Sequence, residues 1–349
     1  MGRRIEWIDL VKAVSVLLVV FMHASNLMFD IAGPTGVARL IQDFNHLVEP
    51  MRMPVFFLVS GMLAASAVRR PWSASTNRTL GMLYLYVLWM AMYLGFTALF
   101  GARTGDPLAA IVFAKSGYWY LYAMALFFII ARLLRNQPAW LVVVVALVPN
   151  LLRPVTAEVI GALIPDSLFT SMAMNLGFFL FGAYFKDLVG GLAQRATLAH
   201  TVVLGAISVG AGIIWLNTPT TADQSYLLLS GLWVAFAVST AVQITRGGAP
   251  AWARYVGART LPIYVMQWPI LFLATSFMPG WVLTHWWAQV LFPFAITAAV
   301  AALALVLRER PLLAPLFTAP HWVTQPREAA VAVRARITAA QPATVTTGR

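Results

Sequence analysis

The stretch "LVKAVSVLLVVFMHASN", from Leu10 to Asn26, decides the fold of this chain. Its apolar character is typical of a membrane-crossing helix, since about 20 such residues span the hydrocarbon core of a bilayer. Yet Lys12 lies near one end, and His23 follows eleven residues later. Ionisable side chains are costly inside a membrane and usually mark a functional site. The stretch therefore predicts a membrane helix with a chemical role.

The rest of the chain is similarly apolar. Of its 349 residues, 60% are hydrophobic and 10% are charged, against about 45–50% and about 25% in soluble domains. The net charge of +12 is spread over short connections between apolar runs, which argues against a nucleic-acid partner. With no cysteine in the chain, disulfides and thiolate metal sites are excluded, and we expect no metal site. The composition therefore predicts an integral membrane protein whose main partner is the lipid bilayer.

Apolar runs separated by turn signals predict an all-α, polytopic bundle of about ten transmembrane helices. The runs lie near residues 8–29, 46–66, 79–100, 117–134, 139–153, 168–186, 199–216, 226–245, 262–278 and 286–307. With the N-terminus in the cytoplasm, most arginines fall in cytoplasmic segments and most acidic residues fall outside, as the positive-inside rule requires. Both termini are therefore predicted to be cytoplasmic.

The chain is predicted to divide into a transmembrane domain, 1–310, and a cytoplasmic tail, 311–349. The tail is rich in Ala, Thr, Pro and Arg with little apolar periodicity, which predicts disorder. At the other end, Glu6 and Asp9 dilute the basic N-terminal region, and no clear cleavage site follows. This pattern favours an uncleaved first helix over a signal peptide.

Lys12 and His23 share one face of the first predicted helix. Eleven residues at about 100° each return to within roughly 20° of the same direction, about 16 Å along the axis. Asp9 can reach Lys12 on that face. The pair is interpreted as an anion-binding cation and a deeper base. Two simpler explanations stay open: Lys12 can extend to the headgroups, and His23 can be a hydrogen-bond partner between helices.

Two motifs carry a resemblance to a known family. "IDLVKAVSVLLVVFMH" (8–23) is similar to the opening of the family-3 integral-membrane acyltransferases, which have an Arg/Lys-x10-His motif after an Asp. "MRMPVFFLVSGML" (51–63) resembles their Pro-x-Phe-Phe-x-x-Ser-Gly signature. Weaker similarities at 118–128, 175–185 and 260–270 extend the resemblance to about residue 310. The chain departs from the family pattern at Lys12, where arginine is usual, and at Gln267, where histidine is common.

The resemblance implies an O-acyltransferase of a bacterial inner membrane. Such an enzyme moves an acyl group, often acetyl, from cytoplasmic acyl-CoA to a hydroxyl of a carbohydrate, a glycolipid or a surface polysaccharide. Acyl-CoA is then the donor substrate, and no separate cofactor is expected. The expected acceptor is a carbohydrate or glycolipid.

The resemblance also implies catalytic roles. His23 would accept the proton of the acceptor hydroxyl or carry the acyl group itself, with Asp9 as a further catalytic residue. Lys12 would attract the phosphates of the donor. Ser60 would donate to the developing oxyanion, although Ser60 and Gly61 can equally form a small-residue contact between helices.

Acceptor binding is assigned to Arg52, Trp119, Tyr264 and Gln267. Arg52, beside Glu49, can hold an anionic or sugar group or can form a surface ion pair of little energetic value. Trp119 can stack on a sugar ring or anchor the chain at the membrane interface. The role of Gln267 stays open, since the family commonly has histidine at this position.

A transporter or exporter of a small hydrophilic or lipidic solute is the alternative function. A ten-helix bundle with polar interior residues suits that function equally well. The sequence contains no P-loop, nucleophile elbow, zinc-protease motif or dinucleotide fingerprint, so these soluble-enzyme chemistries are not predicted.

Overall fold

The computed structural model describes residues 5–72, 75–99, 105–165, 168–218 and 222–325, and within these ranges no strand occurs. The described α-helices are α1 (Glu6–Ala32), α2 (Arg39–Leu47), α3 (Glu49–Arg69), α4 (Thr76–Leu99), α5 (Pro107–Val112), α6 (Trp119–Leu133), α7 (Ala139–Leu151), α8 (Arg153–Leu163), α9 (Phe169–Tyr184), α10 (Lys186–Arg195), α11 (Leu198–Asn217), α12 (Ala222–Thr245), α13 (Ala251–Gly257), α14 (Thr260–Ser276), α15 (Gly280–Thr284), α16 (Trp286–Arg308), α17 (Ala314–Phe317) and α18 (His321–Thr324).

Six of the described helices are long and apolar enough to cross a membrane: α1, α3, α4, α11, α12 and α16. Two bent pairs, α7–α8 and α9–α10, raise the number to as many as eight. The prediction of an all-helical membrane bundle is therefore confirmed. The other two predicted spans fall on α6 and α14, which have 15 and 17 residues and are shorter than the usual span of about 20. The count of ten and the location of the termini stay predictions.

The bent pairs differ from the straight spans that the apolar runs suggest. The helices of the pair α7–α8 meet at 80°, and those of α9–α10 meet at 83°. Pro154 lies in the first turn of α8, where its missing N–H ends the hydrogen-bond ladder of α7 and a new helix can begin. A hydropathy pattern does not report such a change of direction.

The first helix lies at the centre of the bundle. It packs against α3, α12, α13, α14 and α16, and Ala13, Val20 and Ala24 are fully buried in it. At its start, a methyl group on Gly257 of α13 would collide with the carbonyl oxygen of Asp9. The backbones of α1 and α13 therefore touch, and this contact fixes the end of α1 that carries Asp9.

Two glycines allow α3 and α9 to pack backbone to backbone. A side chain on Gly61 would collide with the carbonyl oxygen of Phe179, and one on Gly182 would collide with that of Leu58. Small residues at such crossings permit the close approach of membrane helices. Gly61 therefore has a packing role.

A proline in α14 is compensated by a tyrosine. Pro269 lies inside the helix and has no N–H to donate to the carbonyl of Val265. The hydroxyl of Tyr118, a fully buried residue, donates to that carbonyl at 2.9 Å. Since a free carbonyl is costly in a membrane, this bond both stabilises α14 and joins it to the start of α6.

The segment after α16 packs on α4. The indole N–H of Trp89 donates to the carbonyl of Leu316 at 2.7 Å, and Phe317 is 5% exposed in the main core. Residues 311–325, which the sequence assigns to the tail, thus have defined contacts. Residues 326–349 lie outside the described residues, and the boundary between domain and tail stays a prediction.

Candidate functional site

The stripe of α1 between Lys12 and His23 faces the bundle interior. Val16 and Val19 lie on it and are 2% and 8% exposed, whereas Lys12 and His23 are half-buried. The two valines line an apolar cavity of about 10 Å³, roughly the space of one water molecule. The other residues that line it come from α3, α6 and α14: Met53, Phe56, Tyr120 and Tyr264. We call this small space, which lies along α1 between the two ionisable groups, the constriction.

The imidazole of His23 packs against an indole. The ring centroids of His23 and Trp268 are 4.9 Å apart at an interplanar angle of 50°. Trp268 fits because Gly117 has no side chain, since a methyl there would collide with the indole nitrogen. That nitrogen is buried and has no hydrogen-bond partner among the described residues. Sequence reasoning missed Trp268, although the similarity at 260–270 includes it.

A buried guanidinium lies close to His23. Arg52 is 6% exposed, and its Nη1 donates to the carbonyl of Asn45 at 3.0 Å. The amide of Asn45 donates in turn to the hydroxyl of Ser25 at 2.6 Å. Arg52 is near enough to His23 and Glu49 for electrostatic interaction. Arg52 is buried, whereas Glu49 is exposed.

Ser60 and Gly61 face different neighbours. The hydroxyl of Ser60, which is 7% exposed, lies 3.1 Å from the hydroxyl of Tyr120. The backbone N–H of Tyr120 donates to the hydroxyl of Tyr264 at 3.3 Å, and that hydroxyl donates to the carbonyl of Gly117 at 2.5 Å. Ser60 thus belongs to a polar group beside the constriction, whereas Gly61 packs on α9. From the sequence, Tyr120 of "YWYLY" (118–122) is, like Trp119, a residue that can stack on a sugar ring or anchor the chain at the interface, and its contact with Ser60 was not predicted.

The remaining predicted residues lie at different levels of the bundle. Asp9 is buried near the start of α1, about 21 Å along the axis from His23. Trp119 is half-buried, with its ring 5.8 Å from that of Phe57. Gln267 is fully buried, and neither polar atom of its amide has a partner among the described residues.

The structure therefore groups the predicted residues into three levels. Asp9 and Lys12 lie toward one end of α1, and His23 and Arg52 lie toward the other. Ser60, with Tyr120 and Tyr264, lies between them at the constriction. In the part of the chain that the structure describes, no group of three His, Cys, Asp or Glu residues could hold a metal ion.

Comparisons with known proteins identify the family of the chain. Residues 5–308 match the model of a family described as Acyltransferase domain. The chain is also similar to the inner membrane protein YcfT of Escherichia coli (strain K12), with 22% identity over 240 residues, which cover 61% of this chain and 65% of that relative. No solved structure matches. The apolar helices and the inner-membrane relative support a multi-pass inner-membrane location. Because the family model covers nearly the whole chain, the chain belongs to the Acyltransferase domain family.

Proposed function

We propose that this protein is a membrane O-acyltransferase that moves an acyl group, typically acetyl, from cytoplasmic acyl-CoA to a hydroxyl of a carbohydrate, a glycolipid or a surface polysaccharide. The observation that carries the proposal is the interior stripe of α1, with Lys12 and His23 on either side of a constriction. A donor can bind on one side and an acceptor on the other, and the chemistry then takes place between them.

In this mechanism Lys12 attracts the phosphates of CoA as a point charge. The thioester reaches the constriction, which has to widen because a cavity of about 10 Å³ does not hold it. His23 accepts the proton of the acceptor hydroxyl as the oxygen attacks the thioester carbonyl. The C–S bond then breaks, and the departing sulfur takes a proton to give free CoA. Transfer through an acyl-His23 intermediate has the same overall balance.

The hydroxyls beside the constriction supply oxyanion stabilisation in this proposal. Ser60 and Tyr120 share one hydrogen bond, so a rotation of either O–H can direct a proton at the developing charge. Asp9 lies at the donor end with Lys12, and its role is to orient the donor side of the groove.

Acceptor binding is assigned to the His23 side. Arg52 is buried there and held by Asn45, which suits recognition of an anionic or hydroxyl-rich group. Trp119 comes from α6, and Tyr264 and Gln267 come from α14, which packs on α1; of the three, Tyr264 lies at the constriction itself. The unpartnered amide of Gln267 can donate and accept hydrogen bonds, as a sugar hydroxyl requires.

The first prediction tests the catalytic histidine. His23→Ala should lower acyl transfer, or acyl-CoA hydrolysis where no acceptor is present, by roughly 10²–10⁴-fold, the usual contribution of a general base. The measurement is the release of free CoA thiol by the purified full chain. The matched control is His285→Ala, since His285 is exposed and outside the stripe, and its activity should equal that of the wild type. Wild-type activity in His23→Ala would exclude the catalytic assignment and favour a transport function.

The second prediction tests the donor cation. Lys12→Arg should keep the affinity for CoA because it keeps the charge, whereas Lys12→Glu should abolish binding by repelling the phosphates. Equilibrium binding of CoA to the detergent-solubilised chain measures both. Lys115→Glu makes the same charge change in the connection between α5 and α6 and should leave binding unchanged. Equal CoA affinity in Lys12→Arg and Lys12→Glu would show that Lys12 only extends to the headgroups.

A further inference from the structure

A large apolar crevice lies apart from the proposed active site. Its volume is about 700 Å³, which falls within the range of about 300–1,000 Å³ for ligand pockets. Helices α7, α9, α10, α11 and α12 form its walls, with residues such as Val143, Phe178, Leu204 and Val234. None of the residues assigned to the donor, the acceptor or the chemistry lines it.

The helix arrangement explains why the space exists. α11 packs on α12 and α2, while α7 packs mainly on α9, so the crevice separates these two groups of helices. α10 turns by 83° from α9 and closes one end. On α12, a methyl group added to Gly231 would meet no atom within 4 Å. The space is therefore open to an occupant at this position.

The crevice has charge at one end only. The exposed guanidinium of Arg195 and the ring of His200 belong to its lining, which contains no aspartate or glutamate. Arg246 adds a second guanidinium, since its Nη2 donates to the carbonyl of Ala196 at 2.6 Å. α11 begins at Leu198, and the positive end of its dipole lies at the same mouth. An apolar pocket with a cationic mouth is complementary to an anion with long apolar chains.

We propose that this crevice binds one anionic phospholipid of the surrounding bilayer, with its acyl chains between α7, α9, α11 and α12 and its phosphate at Arg195. Arg195 and Arg246 belong to segments that the positive-inside pattern places in the cytoplasm, so the lipid would come from the cytoplasmic leaflet. Basic pockets between transmembrane helices on that side recognise anionic headgroups. The side chains that line an empty crevice of this size lack van der Waals contacts on one side, and a lipid chain would supply them.

The test titrates the delipidated full chain in detergent with phosphatidylglycerol or with phosphatidylethanolamine and counts bound lipid by native mass spectrometry. The wild type should bind one phosphatidylglycerol several-fold more tightly than phosphatidylethanolamine. Arg195→Gln should weaken phosphatidylglycerol by roughly tenfold, the change expected on losing one hydrogen bond to a charged group. It should weaken phosphatidylethanolamine less, because the ammonium group of that headgroup already compensates the charge of its phosphate.

Two variants fill the crevice. Gly231→Phe projects a ring into it, and Val203→Trp enlarges a lining side chain that is already 55% exposed. Each should lower the affinity for both lipids by at least roughly tenfold, a change of about 1.4 kcal/mol in binding free energy. Gly210→Phe is the matched control, because Gly210 also has open space around it but does not line the crevice. Thermal unfolding checks that each variant is folded.

Three results would overturn the proposal. In the first, a folded variant with a filled crevice binds lipid as tightly as the wild type does. In the second, the wild type binds the two lipids with equal affinity. In the third, inorganic phosphate alone displaces all the bound phosphatidylglycerol. The last result would identify a simple anion site at Arg195.

Discussion

At the scale of single residues, two buried glutamines differ in their surroundings. Gln267 and Gln289 are both fully buried. The amide oxygen of Gln289 accepts bonds from the N–H and hydroxyl of Thr35, each at 2.8 Å, and its nitrogen donates to two backbone carbonyls. Gln267 has no such partners among the described residues. Gln289 therefore joins the connection after α1 to α16, whereas the amide of Gln267 is buried without a hydrogen-bond partner among the described residues.

This contrast gives the third prediction. Gln267→Met should raise the free energy of unfolding by about 1–3 kcal/mol, since it removes an unsatisfied buried amide, whereas Gln289→Met should lower it by a similar amount, since it leaves its partners unpaired. Thermal unfolding of the two variants in the same detergent measures the difference. A loss of stability in Gln267→Met would mean that its amide is satisfied in the folded protein. A raised KM for the acceptor in the stabilised variant would support the binding role.

Individual residues also show how much of the candidate site can be predicted from the sequence. The shared stripe of Lys12 and His23 follows from helical periodicity alone, because both residues belong to one helix. Trp268 beside His23, and Asn45 beside Arg52, each belong to a different helix from the residue they contact. Their contacts depend on how helices cross, and hydropathy and motif spacing contain no information on that.

At the scale of helices, the contact between α3 and α9 depends on glycine. The fourth prediction is that Gly61→Ala and Gly182→Ala each lower the free energy of unfolding by about 1–3 kcal/mol or more, since each methyl group collides with a backbone carbonyl that cannot turn away. Thermal unfolding tests this. Gly95→Ala on α4 is the control, because open space surrounds Gly95, and it should be neutral or stabilising by about 0.5–1 kcal/mol. Unchanged stability in Gly61→Ala would show that α3 and α9 can separate without cost.

Sequence patterns predicted the existence of the helices better than their shapes. Every predicted apolar run falls on at least one helix, because burial in lipid or protein requires the same composition. The bends after Leu151 and Tyr184 and the shortness of α6 and α14 were not foreseen. A hydropathy profile depends on residue composition and not on the direction of the helix axis, so a bent pair of helices and a straight span give nearly the same profile.

At the scale of the whole molecule, the arrangement across the membrane can be tested directly. The fifth prediction uses the absence of cysteine from the chain, which makes any introduced thiol unique. In intact cells, a membrane-impermeant maleimide should label Gly105→Cys, in the predicted outer connection between α4 and α5. It should label Thr318→Cys, beyond α16, only after the inner membrane is permeabilised.

Each outcome of the labelling has a clear meaning. Both positions are exposed in the structure, so failure to react reflects the membrane barrier and not burial. Reaction of Thr318→Cys in intact cells would place the segment after α16 outside the cytoplasm and would contradict ten spans with both termini in the cytoplasm. Labelling of both sites by a membrane-permeant maleimide controls for the reactivity of each thiol.

The constriction formed by Val16 and Val19 has a consequence for the energetics of the cell. An enzyme that opened to both faces of an energised membrane at once would let protons cross it and would dissipate the proton gradient. Two aliphatic side chains facing tyrosine and phenylalanine rings leave too little wetted space for a continuous file of water. Under the proposed function, an acyl chain that enters this space would have to displace these side chains, and the site would conduct no protons while it is empty.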